Sequence, residues 1–196
     1  MKKRPDFRIS RFCMVLGALL LVAGALLPFL WQWGISSAEQ KMAETVHTIR
    51  SLIPTPRSAF PEPRRDNTMP MLSLEGVDFL GILEMPRYGL ALPVCGDWGE
   101  VTKHPCRFAG SAYDRSLQIG GTNQKGQFDF YQEISVGDLL YFTDMEGNRY
   151  TYTVTDLRYE KHANQTALQG RDGALKLFIK NLYGFDYLIV FCDVRT

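Results

Sequence analysis

The stretch LLYFTDMEGNRYTYTVTD, residues 139–156, contains two runs of strand-forming residues around a polar turn. The runs LLYFT and RYTYTVTD are rich in aromatic and β-branched residues, whereas DMEGN between them contains residue types that turns prefer. Two such runs separated by a short loop predict a β-hairpin.

Comparable strand patterns lie on both sides of this hairpin. They are VDFLGIL at 77–83, LQIG at 117–120, LKLFIK at 175–180 and YLIVFCDV at 187–194. The last two runs could form a second hairpin. Because no long helical pattern separates the strands, the sequence favours a mostly-β domain over residues 72–196, either a closed barrel or a sandwich.

A long apolar segment precedes this domain. Residues 12–33, FCMVLGALLLVAGALLPFLWQW, contain no charged side chain and are long enough to cross a bilayer as a helix. Residues 1–11 hold five basic residues and one acidic residue, a bias that predicts a cytoplasmic N-terminus. The sequence therefore predicts a single-pass plasma-membrane protein with an extracellular domain. A signal peptide cleaved near Ala38 is the alternative.

Residues 34–71 are expected to connect the anchor to the domain. Met42, Val46 and Ile49 have helical spacing and predict a juxtamembrane helix, while five of the ten prolines fall within 54–70 and predict an extended tether. The formal net charge is +1, and no basic patch is interleaved with aromatic residues. This composition argues against a nucleic-acid partner, and no residue spacing predicts a metal site or a cofactor.

Four blocks of the chain, taken in order, resemble those of bacterial sortases, which are membrane-anchored enzymes of Gram-positive bacteria. They are LGILEMPRYGLALPV at 80–94, PCRFAGSAYDRSLQIGGTNQKGQFDF at 105–130, ISVGDLLYFTDMEGNRYTYTV at 134–154 and LKLFIK at 175–180. The resemblance implies a closed β-barrel of about seven or eight strands with short helices. It also implies a cysteine transpeptidase site, in which a thiolate attacks a peptide, a histidine transfers protons and an arginine stabilises the oxyanion.

The positions that match these three catalytic residues carry other side chains. Thr122 stands at the histidine position, Lys180 at the cysteine position and Tyr187 at the arginine position. The resemblance therefore implies a catalytically inactive pseudo-sortase. Its groove would be walled by Ile119, Phe178 and Leu188 and would bind a sorting-signal peptide, a pilin or an active sortase. A barrel with a purely structural role in a membrane complex also stays open.

An active cysteine transpeptidase with a relocated nucleophile is the competing hypothesis. Cys192 ends the run LIVFC, and Arg195 follows it as a candidate oxyanion donor. The histidine partner would come from His47, His104 or His162. Of these, His162 follows a predicted strand and has the most plausible route to the site.

The cysteines outside the apolar segment predict a structural disulfide. Cys13 lies within that segment, which leaves Cys95, Cys106 and Cys192. We predict a bond between Cys106 and Cys192, because it would tie the last strand to the barrel. The alternative pairs Cys95 with Cys106.

Overall fold

A computed structural model of the chain describes the backbone of residues 7–63, 66–161 and 173–195, with side chains left out for 7–13 and 27–38. His162 lies outside the described residues. The chain divides into two compact units, residues 1–39 and 40–196.

Helix α1 spans Phe7–Leu52 without interruption, where the sequence predicted an anchor and a separate short helix. Among residues with described side chains, no helix is both long and apolar enough to cross a membrane. The predicted anchor over 12–33 lies partly outside those residues and stays a prediction. Within the second unit, Val46 and Ile49 are buried against Phe79 and Ile82, as the helical spacing leads one to expect.

The described residues of the second unit also form ten strands. Their bounds are β1 Arg57–Ser58, β2 Leu72–Leu74, β3 Val77–Met85, β4 Leu90–Cys95, β5 Cys106–Ala109, β6 Leu117–Thr122, β7 Leu139–Asp144, β8 Asn148–Glu160, β9 Leu175–Lys180 and β10 Tyr187–Val194. Short 3-10 helices follow β3 and β4, at Pro86–Tyr88 and Trp98–Glu100.

Eight of these strands form a closed mixed barrel. Around the ring the order is β3-β4-β5-β6-β9-β10-β8-β7, and β7 returns to β3. The β4–β5 and β6–β9 pairs are parallel, and the other pairs in the ring are antiparallel. The predicted closed barrel and both predicted hairpins, β7–β8 and β9–β10, are confirmed.

Side-chain alternation along the strands fills the barrel. On β9, Leu175, Leu177 and Ile179 enter the main core, while Phe178 between them packs in a separate small cluster with Ile189. This period of two is what a strand with one face on the core requires. The turn between β7 and β8 is fixed by Asp144, whose buried carboxylate accepts hydrogen bonds from the backbone N–H of Glu146 and Asn148.

The proline-rich segment is attached to the barrel rather than extended away from it. Strand β1 pairs in parallel with β8, and the Ala59 N–H donates to the Arg149 carbonyl at 2.9 Å. Met69, only 1% exposed, belongs to the main core. The tether prediction was wrong for these residues, because their backbone groups and one apolar side chain find partners on the barrel.

The disulfide joins Cys95 and Cys106, so the predicted Cys106–Cys192 bond was wrong. Cys95 and Cys106 are register partners in the parallel β4–β5 pair, with their Cα atoms 4.5 Å apart. That separation is suitable for a disulfide. Cys192 is a free, fully buried thiol on β10.

Candidate functional site

Three adjacent strands bring Thr122, Lys180 and Tyr187 together. Thr122 is the last residue of β6, Lys180 is the last residue of β9 and Tyr187 is the first residue of β10. Thr122 is the register partner of Lys180 in the parallel β6–β9 pair, and Lys180 is the register partner of Tyr187 in the antiparallel β9–β10 pair. The three residues therefore form one row across the sheet at one rim of the barrel.

The Thr122 side chain is held by hydrogen bonds. Its backbone N–H and its hydroxyl both donate to Oε1 of the fully buried Gln127, at 2.8 and 3.2 Å. The Gln127 amide in turn donates to the Val101 carbonyl at 3.3 Å. Thr122 therefore braces the segment that follows β6, and a threonine hydroxyl, unlike a histidine, does not change its charge near neutral pH.

Lys180 and Tyr187 are more accessible than Thr122. Lys180 is exposed, and Tyr187 is half-buried because its ring stacks on Phe178 with the centroids 4.9 Å apart. Such offset stacking fixes the orientation of an aromatic ring. The row thus presents an exposed cation beside a stacked phenol ring.

A polar network holds the loop that connects β9 to β10. The Asn123 amide donates to Asn181 at 2.8 Å, and the Asn181 amide donates to Asp186 at 2.8 Å. Tyr131 also donates its hydroxyl to Asp186. The hydrogen bond from Tyr131 and, to a smaller extent, that from Asn181 lower the pKa of Asp186. Burial and, to a smaller extent, the hydrogen bond to Asp186 raise the pKa of Tyr131. The sequence signal for this network is the set of turn-forming residues Asn181, Gly184 and Asp186 in the loop.

A cavity of about 700 Å³ lies beside the row. Its lining consists of Lys161, Lys180, Asn181, Gly184, Phe185, Asp186 and Tyr187. Phe185 is 97% exposed at its edge. An exposed aromatic ring on a loop that is held by hydrogen bonds is a feature of binding surfaces.

No protein-family model and no curated protein sequence matches the chain. Solved structures do match. Sortase A of Listeria monocytogenes aligns with 60% of this chain and 88% of its own, at 17% identity and a TM-score of 0.50. Sortase C1 of Streptococcus agalactiae aligns with 63% of this chain and 71% of its own, at 19% identity and a TM-score of 0.52.

A third match is sortase C of Clostridium perfringens, in a structure with the C-terminal cell wall sorting motif. It aligns with 61% of this chain and 71% of its own, at 18% identity and a TM-score of 0.51. The fold is sortase-like. Similarity at this level of identity establishes the architecture alone, since one fold hosts many functions.

The sortase-like barrel buries two of the three predicted groove residues. Ile119 and Leu188 are 0% exposed and belong to the main core, so the prediction that they contact a ligand was wrong. They occupy inward positions of β6 and β10. Phe178, on the other face of its strand, is partly exposed and supports Tyr187.

Cys192, the nucleophile of the competing hypothesis, also lies in the barrel interior. Cys192 is 0% exposed, and burial followed by the nearby charge of Asp193 raises the pKa of its thiol. Its register partner on β9 is Leu175, at the opposite end of that strand from Lys180. A buried, protonated thiol is inert, so Cys192 is not in a position to attack a peptide. Arg195 is exposed, and its backbone N–H donates to the Thr151 carbonyl.

The two described histidines do not join the row. His47 is exposed on α1, and His104 lines a separate cavity together with residues of α1 and β3. Burial lowers the pKa of His104, whose ring packs edge-on against Phe79 at 5.3 Å. Within the part of the chain that the structure describes, no three His, Cys, Asp or Glu residues could share a metal ion.

Proposed function

We propose that this chain is a membrane-anchored, extracytoplasmic sortase-like protein that binds a peptide or a partner protein without catalysing transpeptidation. The observation that carries the proposal is the row of Thr122, Lys180 and Tyr187 across β6, β9 and β10. The sequence resemblance to sortases implies that these residues stand at the histidine, cysteine and arginine positions.

Cysteine transpeptidation needs a thiolate and a proton-transferring group that act as a unit. The Lys180 ammonium is no thiolate, and the Thr122 hydroxyl already donates to Gln127. Tyr187 could still donate to an oxyanion, but a donor without a nucleophile starts no reaction. The chemistry of the row thus supports a binding role.

The surroundings of the row support the same role. The cavity beside Lys180 offers room for several residues of an extended peptide, and Phe185 presents an exposed ring at its edge. The hydrogen bonds among Asn123, Asn181 and Asp186 keep the loop ordered before a ligand arrives. Binding to a preorganised surface costs less conformational entropy than binding to a loose one.

The membrane attachment belongs to the proposal because of the N-terminal sequence. Residues 12–33 are uncharged and follow a basic N-terminal segment. Such a segment keeps residues 1–11 in the cytoplasm and the barrel at the cell surface. There the barrel would meet a sorting-signal peptide, a pilin or an active sortase.

The test incubates the full-length protein, in detergent, with fluorescent sorting-signal peptides and an amine nucleophile. Anisotropy follows binding, and mass spectrometry follows cleavage and transfer, with an active sortase as the positive control. We expect saturable binding without product, and weaker binding for Phe185→Ser. The matched control is Phe60→Ser, since Phe60 is 61% exposed but does not line the cavity.

Each outcome bears on the proposal. Turnover that disappears in Cys192→Ala would overturn it in favour of a cysteine transpeptidase. Turnover that persists in Cys192→Ala would overturn it through another nucleophile. The absence of both binding and turnover would remove the binding function and leave a structural barrel.

A further inference from the structure

We infer that the ligand of the cavity beside Lys180 presents a carboxylate to it. This inference rests on the proposed binding function and specifies the chemistry of what is bound. It follows from which polar groups of the cavity already have partners and which do not.

Three hydrogen-bond donors that line the cavity have no side-chain partner among the described residues. They are the ammonium groups of Lys161 and Lys180 and the hydroxyl of Tyr187. Within residues 7–63, 66–161 and 173–195, none of these three groups takes part in a side-chain hydrogen bond or an ion pair. The backbone carbonyl of Lys180 accepts from the Asn123 N–H, which fixes the point where the lysine side chain starts.

The side-chain oxygens of Asp186 and Asn181, by contrast, already accept hydrogen bonds. The Asp186 carboxylate accepts from the Tyr131 hydroxyl and from the Asn181 amide. The Asn181 carbonyl oxygen accepts from the Asn123 amide and from the Tyr183 N–H. Among the described side chains of the cavity, a ligand therefore meets mainly free donors.

The charge of the cavity lining also favours an anionic ligand. Among the described lining residues, two lysines and one aspartate leave one net positive charge, and the aspartate already accepts two hydrogen bonds. A carboxylate accepts hydrogen bonds and donates none, so it complements this set. Among the groups of an unmodified peptide, only the C-terminal carboxylate and the side chains of Asp and Glu supply one.

Two aromatic rings define what lies next to the carboxylate. Phe185 and Tyr187 both line the cavity, and Phe185 is almost fully exposed. An apolar residue adjacent to the carboxylate would cover the Phe185 ring and remove it from water. The lysines lie within the same cavity, so one short peptide segment can satisfy both requirements.

The experiment compares three fluorescent pentapeptides that share an apolar core. One has a free C-terminal carboxylate, one is amidated and neutral, and one is amidated with an internal glutamate. With the full-length protein in detergent, we expect either carboxylate to strengthen binding by about tenfold over the neutral peptide. This preference should shrink as the salt concentration rises, because the lysines are exposed.

Lysine variants locate the effect. Lys180→Gln and Lys161→Gln should each reduce the preference by several-fold while leaving the neutral peptide bound as before, which also reports an intact fold. Lys125→Gln is the matched control, since Lys125 is exposed and does not line the cavity. Its preference should equal that of the unmodified protein.

The outcomes separate this inference from the proposed function. Equal binding of all three peptides, or an unchanged preference in both cavity variants, would overturn the carboxylate while the binding function stands. No binding of any peptide would overturn both. A preference confined to the free C-terminus or to the glutamate would support the inference and identify the source of the carboxylate.

Discussion

Lys180 and Cys192 lie at opposite ends of the β9–β10 hairpin and have opposite environments. Lys180 is exposed at the rim beside the cavity, whereas Cys192 is 0% exposed within the core. The competing hypothesis made Cys192 a reactive group, and the burial of Cys192 contradicts that role. Strand alternation explains the burial of Cys192, because Leu188, Val190 and Cys192 all face the main core.

We predict that Cys192 resists alkylation in the native protein. Burial raises the pKa of its thiol, so both access and thiolate population are low at neutral pH. Iodoacetamide should leave the peptide that contains Cys192 unmodified until urea unfolds the barrel, as peptide mapping would reveal. Rapid labelling without denaturant would contradict this prediction and restore the relocated nucleophile.

At the scale of elements, the disulfide defines a loop that reaches the candidate site. Residues 96–105 lie between Cys95 and Cys106, and Trp98 in this loop lies over Gly120 on β6. The Val101 carbonyl from the same loop holds Gln127, which holds Thr122. The disulfide therefore helps to position the Val101 carbonyl, and through Gln127 it supports Thr122 in the row.

Reduction should destabilise the protein by about 2–3 kcal/mol, the range for a disulfide that closes a short loop. We expect the urea midpoint to fall when dithiothreitol is added, and amide exchange to rise in residues 96–105 before it rises elsewhere. The double variant Cys95→Ala/Cys106→Ala should match the reduced protein. Identical unfolding curves with and without reductant would refute this role of the bond.

The sequence predicted local pairings better than distant ones. The β7–β8 and β9–β10 hairpins were recognisable because each joins two strand patterns across a short turn. The disulfide was assigned incorrectly because the parallel β4–β5 pairing, which sets Cys95 beside Cys106, is not visible in a strand pattern. The same holds for the β6–β9 pairing behind the row, which only the resemblance to sortases suggested.

For the whole molecule, aspartates with lowered pKa values link distant segments. Asp138 accepts hydrogen bonds from Arg87 at 2.6 Å and from Tyr88 at 2.7 Å, which joins the β3–β4 turn to the segment before β7. Burial opposes the charged form of Asp138, but the bonds from Tyr88 and Arg87 outweigh it and lower its pKa. A lowered folded-state pKa stabilises the fold above the ordinary value of 3.8 and loses that contribution as pH falls below it.

We therefore predict that Asp138→Asn is less stable than the unmodified protein at pH 7 and that the difference shrinks as the pH falls below the ordinary value of 3.8. Urea unfolding followed by circular dichroism measures both proteins at each pH. The lowered pKa of His104 adds its own loss of stability below its ordinary value of 6.5, but equally in both proteins. Asp193→Asn, at an exposed position of β10, is the matched control. A difference that stays constant with pH would count against this assignment.

At this scale, the strand patterns favoured a barrel or a sandwich, and the resemblance to sortases selected the closed barrel. What neither supplied was the environment of single residues: Ile119 and Leu188 were expected in a groove and lie in the core, while Met69 was expected in a tether and also lies in the core. Burial depends on the partners that the closed ring brings together, and those partners are distant in sequence.

The position of β10 affects how the chain folds during its synthesis. This last strand lies between β8 and β9, and its residues pair with both neighbours. During synthesis, every strand up to β9 leaves the ribosome while two facing strand edges still lack their shared partner. Unpaired edges recruit other strands, including those of neighbouring chains. A nascent chain that has reached only β9 therefore carries two open strand edges, and the emergence of residues 187–194 closes both of them.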